Sequence, residues 1–124
     1  MKKVILSQQA PAPIGPYSQA IEANGFIFCS GQIPLDAKGN VVPGDVKAQA
    51  EQVMKNIEAV LTAGGVTFKN IIKTNIFLTD MKDFAVVNEV YGRFFPENPP
   101  ARSTVQVAGL PKGVQVEIEV TALK

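Results

Sequence analysis

A chain of 124 residues is the size of one domain, and 46% apolar content is enough for a single hydrophobic core. A net charge of +1, with no basic run longer than Lys2-Lys3, supplies no strong pull toward nucleic acid or an anionic membrane. The absence of histidine and the lone Cys29 remove Ser-His-Asp and Cys-His catalysis, most zinc sites and any internal disulfide.

Val4-Ile5-Leu6 reads as a short strand. This apolar stretch is too short for a signal-peptide core, and no stretch reaches membrane-spanning length. A soluble, cytoplasmic protein is expected. Pro11, Pro13 and Pro16 keep residues 10–17 extended. Residues 18–22 and 26–30 form two strands around Asn24-Gly25, a strong hairpin signal. Cys29 falls in the second and reads as a small buried hydrophobe, not a reactive thiol. A glycine- and proline-rich segment, 31–44, is a long loop of the sort that lines sites. Asp45 caps a helix whose Ala50, Val53, Met54, Ile57, Val60 and Leu61 repeat at three and four, and Gly64-Gly65 ends it.

Residues 71–78 form a strand. Asp80 or Asp83 caps a second helix, with Phe84, Val87, Tyr91 and Phe94 as its core stripe, and Pro96, Pro99 and Pro100 break it. The last two strands cover 102–107 and 114–123. The order is β-β-β-α-β-α-β-β, an α+β fold of one domain over 1–124, with both helices on one face of the sheet. The other face must be polar or covered by another chain. The strand at 71–78 sets Ile72, Thr74, Ile76 and Leu78 against Ile71, Lys73, Asn75 and Phe77, so neither face is cleanly polar. That mixture suits a sheet packing on a copy of itself, and argues against a monomer.

The chemistry-bearing stretch is Pro100-Ala101-Arg102-Ser103-Thr104-Val105, followed after Leu110-Pro111-Lys112-Gly113 by Val116-Glu117-Ile118-Glu119. It sets an arginine and glutamates in what reads as buried strand. A charge there is costly unless paired or employed. Arginine is a natural fork for a carboxylate, and glutamate a natural partner for water or a proton. The glycines match neither dinucleotide nor P-loop spacing, and no cofactor or metal is expected.

These residues resemble the signature of the RidA/YjgF (reactive intermediate deaminase, L-PSP) family: Pro-Ala-Arg-Ser, a Leu-Pro turn and a hydrophobic-Glu-Ile step, met at 100–103, 110–111 and 116–118. The resemblance runs the whole chain, through residues 12–20, Ser30-Gly31-Gln32-Ile33-Pro34 and the helix at 83–91. It implies a chorismate-mutase-like fold, a mixed six-stranded sheet whose final strand inserts between earlier ones. It also implies a homotrimer with ligand clefts between subunits. The implied activity is an enamine/imine deaminase, hydrolysing 2-imino acids such as 2-iminopropanoate, formed from 2-aminoacrylate, to 2-oxo acids and ammonia.

In that resemblance Arg102 grips the carboxylate, Glu117 holds or deprotonates the water, and Tyr17 lines the cleft. Ser30, Gly31, Thr104 and Asn88 complete the binding residues. Thr104 stands where many relatives have cysteine, so no thiol chemistry is available there. Asn88 reads as facing away from its helix's apolar stripe, and Glu119 as structural. Two rival functions are an endoribonuclease that inhibits translation, disfavoured by the near-neutral charge, and a non-catalytic ligand-binding trimer.

Overall fold

Asn24 and Gly25 both take positive φ, 54° and 82°, as a two-residue type I′ turn requires. The computed structural model, which describes residues 1–124, uses that turn to pair β2 (Ala20–Ala23) with β3 (Phe26–Cys29), Ala23 opposite Phe26. β1 (Lys3–Ile5) adds antiparallel to the free side of β2. α1 (Val46–Ala63) begins where expected, because Asp45 Oδ1 accepts a hydrogen bond from the Ala48 N–H at 3.1 Å. Its buried stripe, including Val53, Met54, Ile57 and Leu61, anchors the main core.

β4 (Ile71–Leu78) and β5 (Ala101–Gln106) are parallel neighbours joined through α2 (Phe84–Gly92). The chain then crosses the end of β4, and β6 (Val116–Leu123) inserts between β3 and β4, antiparallel to both. The sheet order is β1-β2-β3-β6-β4-β5. The Leu110-Pro111 turn therefore does not make a direct hairpin. In β6, Val116, Ile118, Val120 and Ala122 are buried beneath the helices, and Glu117, Glu119 and Thr121 face the other way.

Four local expectations change. A single 3-10 turn, Met81–Asp83, precedes α2. Asp80 caps that turn by accepting from the Lys82 N–H, and Asp83 makes no side-chain cap bond. The buried stripe of α2 is Val87, Val90 and Tyr91, while Phe84 and Phe94 are only partly buried. A register shift in the β4–β6 ladder between Ile71 and Lys73 turns Ile71 inward and leaves Ile72 42% exposed, so Ile72 does not share the face of Thr74. Finally, β5 is an edge strand with one neighbour, so Arg102 and Thr104 are partly buried and not in a closed core. No helix is long and apolar enough to cross a membrane.

The segment between β1 and β2 is tied down at Ser7 and Pro11 by Gln19, which is 1% exposed. Its Oε1 accepts from the Ser7 N–H at 2.6 Å, and its Nε2 donates to the Ser7 and Pro11 carbonyls at 3.1 and 2.9 Å. Losing these bonds strands buried backbone groups. We expect Gln19→Leu to lower unfolding free energy by about 2–4 kcal/mol, read as a lower urea midpoint at fixed protein concentration. An unchanged midpoint would contradict the anchoring role.

Candidate functional site

The residues singled out from the sequence fall into two groups, and the sheet separates them. Arg102 stands opposite Thr74 on β4, which stands opposite Val120 on β6. Members of such a row share a face, and this one faces the helices. Glu117 stands opposite Phe77, which stands opposite Val105, and this row faces away. Three residues along the strands and two strands across place the two Cα atoms about 14 Å apart, on opposite faces.

On the helix side, α2 presents Phe84, Asn88 and Tyr91 at positions i, i+4 and i+7, one stripe of its surface. Asn88 therefore joins the edge of that stripe instead of facing away from it. Arg102 Nη1 donates to Asn88 Oδ1 at 2.6 Å. The guanidinium carbon lies 5.1 Å from the Tyr91 ring centre and 5.6 Å from that of Phe84, both within cation–π range. The Tyr91 hydroxyl lies 2.8 Å from Thr74 Oγ1. Burial pushes the Tyr91 phenol above its ordinary value, against opposing pulls from the Thr74 bond and the Arg102 charge. Arg102 has no carboxylate partner among the ion pairs of the chain. It borders an open cleft of about 460 Å³, lined also by Asn88, Tyr91, Phe95, Pro99 and Pro100. Thr104, two residues on, turns to the same side, and its Oγ1 is buried without a hydrogen-bond partner.

The second group surrounds a cleft of about 360 Å³ lined by Ile14, Tyr17, Ser30, Gly31, Ile33, Pro111 and Glu117. Gly31 leaves room for Glu117: a Cβ there would overlap Oε2 and lie 2.9 Å from Cδ, so the carboxylate would have to swing aside. Paired hydrogen bonds between Gln32 and Ile118 hold the two segments at this spacing. The Gly31 N–H has no backbone acceptor, whereas the Ser30 N–H donates to the Gln19 carbonyl and its hydroxyl to the Ser18 carbonyl. Ser30 thus has no donor left for a ligand in this arrangement. Tyr17 is exposed, and its hydroxyl accepts from the Ile14 N–H at 3.3 Å.

Burial raises the Glu117 carboxyl above its ordinary value, and the like charge of Glu119 raises it further. Asn75 Nδ2 donates to Glu119 Oε1 at 2.9 Å, so this stabilising hydrogen bond goes to Glu119 and not to Glu117. Cys29 takes no part: it is buried, and burial pushes its thiol up to about 12.

What sequence reasoning missed is the support. Tyr91 was legible only as a core aromatic, and Thr74 only as a strand residue. Asn56 was legible only as a helix residue, yet it is buried and donates to the Ile33 and Leu35 carbonyls, pinning the loop after Gly31.

Comparison with known proteins is consistent along the whole chain. A family model described as Endoribonuclease L-PSP matches residues 7–124. Protein DfrA of Myxococcus xanthus is 57% identical over 98% of this chain and 95% of that protein. The 2-iminobutanoate/2-iminopropanoate deaminase of Mus musculus is 47% identical over 100% of this chain and 93% of its own. A crystal structure of Escherichia coli TdcF with bound serine superposes with a TM-score of 0.94 at 44% identity, covering 98% of both chains.

The raised Glu117 carboxyl has a consequence for stability. Its ionisation is harder in the folded chain than in the unfolded one, so the ionised form opposes folding above the folded pKa, and the penalty fades as pH falls through it. We expect Glu117→Gln to melt at a higher temperature than the native chain at pH 7, with the gap closing as the pH is lowered. A lower melting temperature at pH 7 would contradict this environment for Glu117.

Proposed function

The chain belongs to the endoribonuclease L-PSP family, and on that premise we propose that it is a deaminase that hydrolyses 2-imino acids such as 2-iminopropanoate to 2-oxo acids and ammonia. The observation that carries the reading is the state of Arg102. Its guanidinium has five N–H donors, makes one hydrogen bond to a neutral amide, has no internal anion, and borders an open cleft. A small planar carboxylate fits such a fork.

The working site is shared between copies of the chain. Arg102 and Glu117 of one copy face opposite ways, so a substrate that meets both takes them from two copies. The outward sheet face carries Val4, Phe28, Val105 and Leu123 exposed, an apolar surface suited to covering by another copy. The assembly we propose is the homotrimer implied by the family resemblance, with Arg102 and Asn88 from one subunit meeting Tyr17, Gly31 and Glu117 from its neighbour. We propose a cytoplasmic location for it, as expected from the sequence.

Arg102 binds the substrate carboxylate and fixes the imine carbon. Glu117, with Tyr17 beside it, holds a water; its carboxylate takes a proton as the oxygen attacks that carbon. The proton passes to the nitrogen, giving a carbinolamine. Glu117 then takes the hydroxyl proton and delivers it to the nitrogen as the C–N bond breaks and the C=O forms, releasing ammonia and leaving the 2-oxo acid. Imines are already electrophilic, so no metal or thiol is needed, and each tenfold of acceleration asks for only about 1.4 kcal/mol. Positioning and one acid–base group supply that.

The test generates 2-iminopropanoate with an amino-acid oxidase and traps what remains with semicarbazide. The native chain should reduce the trapped product. Arg102→Ala should lower kcat/KM by about a hundredfold or more, the loss expected for a charge-assisted double contact. Glu117→Gln should keep 2-oxobutanoate binding and lose about 10²-fold or more in kcat. Unchanged turnover in either would reject that residue's role. The acid limb of the kcat/KM–pH profile should lie above the ordinary glutamate range, and Glu119→Gln should move it to lower pH by removing the like charge. A limb that stays in place would contradict the coupling.

A further inference from the structure

Resting on the reading of Arg102 as the carboxylate fork, we propose that Tyr91, fastened through its hydroxyl to Thr74, is a positioning residue that sets the Arg102 guanidinium for its anion. The contacts form a closed loop. Thr74 stands opposite Arg102 in the β4–β5 ladder. Its Oγ1 meets the Tyr91 hydroxyl at 2.8 Å. The Tyr91 ring returns to the Arg102 guanidinium at 5.1 Å. The loop ties the head of a long, flexible side chain to the strand position beside its own backbone. Phe84 approaches at 5.6 Å and Asn88 accepts from Nη1, so the cation is restrained from three directions while four of its N–H donors stay unspent.

Stability alone does not explain the hydroxyl pair. Thr74 is 0% and Tyr91 5% exposed, and the two groups satisfy only each other's burial. Phenylalanine and valine fill nearly the same volume without polar atoms, and exchanging both members of a buried hydrogen bond for apolar groups is close to neutral. What the pair adds is a fixed ring orientation beneath a cation. A ring that is free to shift still packs, but it no longer defines where the guanidinium sits. Preorganisation of this kind lowers the ordering cost of binding.

The experiment is a double-mutant cycle on the full chain, read by calorimetric titration with 2-oxobutanoate and by KM and kcat for 2-iminopropanoate. Tyr91→Leu removes the ring. Tyr91→Phe combined with Thr74→Val keeps the ring and the volume but cuts the tie, and serves if the leucine variant does not fold. Each is made in the native and the Arg102→Lys background. We expect Tyr91→Leu to weaken 2-oxobutanoate binding about tenfold, equivalent to about 1.4 kcal/mol, and to raise KM more than it lowers kcat. The double variant should weaken binding about threefold at unchanged melting temperature. In the Arg102→Lys background both factors should fall below about twofold, because a point charge does not use the ring-set plane. Equal factors in both backgrounds would make Tyr91 a general structural residue and overturn the proposal. If Arg102→Lys binds 2-oxobutanoate as tightly as the native chain, the carboxylate-fork reading itself falls, and the positioning role with it.

Discussion

Successive side chains of a β-strand leave on opposite faces, and that alternation decides how this protein can work. Arg102 falls in the row that faces the helices, and Glu117 falls in a row that faces away. The insertion of β6 between β3 and β4 then sets Glu117 beside Gly31, where an added Cβ would push its carboxylate aside. No choice of rotamer moves either group through the sheet. A reaction that needs both a cation for an anionic substrate and an acid–base group for water is thereby a reaction of an assembly. The same face that carries Glu117 also carries exposed apolar side chains, so the association we propose covers hydrophobic surface as it completes the site.

The two half-sites are prepared differently. On the helix side the charge is restrained but unspent: aromatic faces and one amide hold the guanidinium and leave most of its donors for a ligand. On the outward side the acid is unpaired: burial and Glu119 raise its proton affinity, and Asn75 spends its hydrogen bond on Glu119. A carboxylate that keeps its proton more readily than usual is better matched to passing one back and forth. In the site we propose, the substrate carboxylate answers the Arg102 charge, which no internal anion meets.

Features governed by near neighbours were legible in the sequence. Asn24-Gly25 announced its turn, Asp45 its cap, and β6 its alternation, because each depends on residues a few positions away. The family motif carried the strand insertion, which loop length around Leu110-Pro111 could not. The ladder irregularity at Ile71/Lys73 was not legible, since it exists only once β6 is paired with β4, and it reverses the side on which Ile72 lies. Val90 was missed because it lies beside Val87 and Tyr91 on the buried face, whereas Phe94 of the expected stripe falls past the end of α2 at Gly92. Arg102 and Glu117 stood out by charge, but their separation by the sheet depended on register. The hydrogen bonds of Gln19, Asn56 and the Thr74–Tyr91 pair gave no signal, because nothing in sequence marks which distant partner satisfies a polar group.

Arg102→Ala and Glu117→Gln chains, each inactive alone, provide the decisive measurement when they are co-expressed in equal amounts and the mixed protein is assayed for 2-iminopropanoate hydrolysis. If every site draws its arginine from one subunit and its glutamate from the next, random assembly leaves about a quarter of the sites intact, and that fraction of native activity should return. Activity no greater than that of the two variants assayed separately would mean that one chain supplies both groups, and would contradict the account.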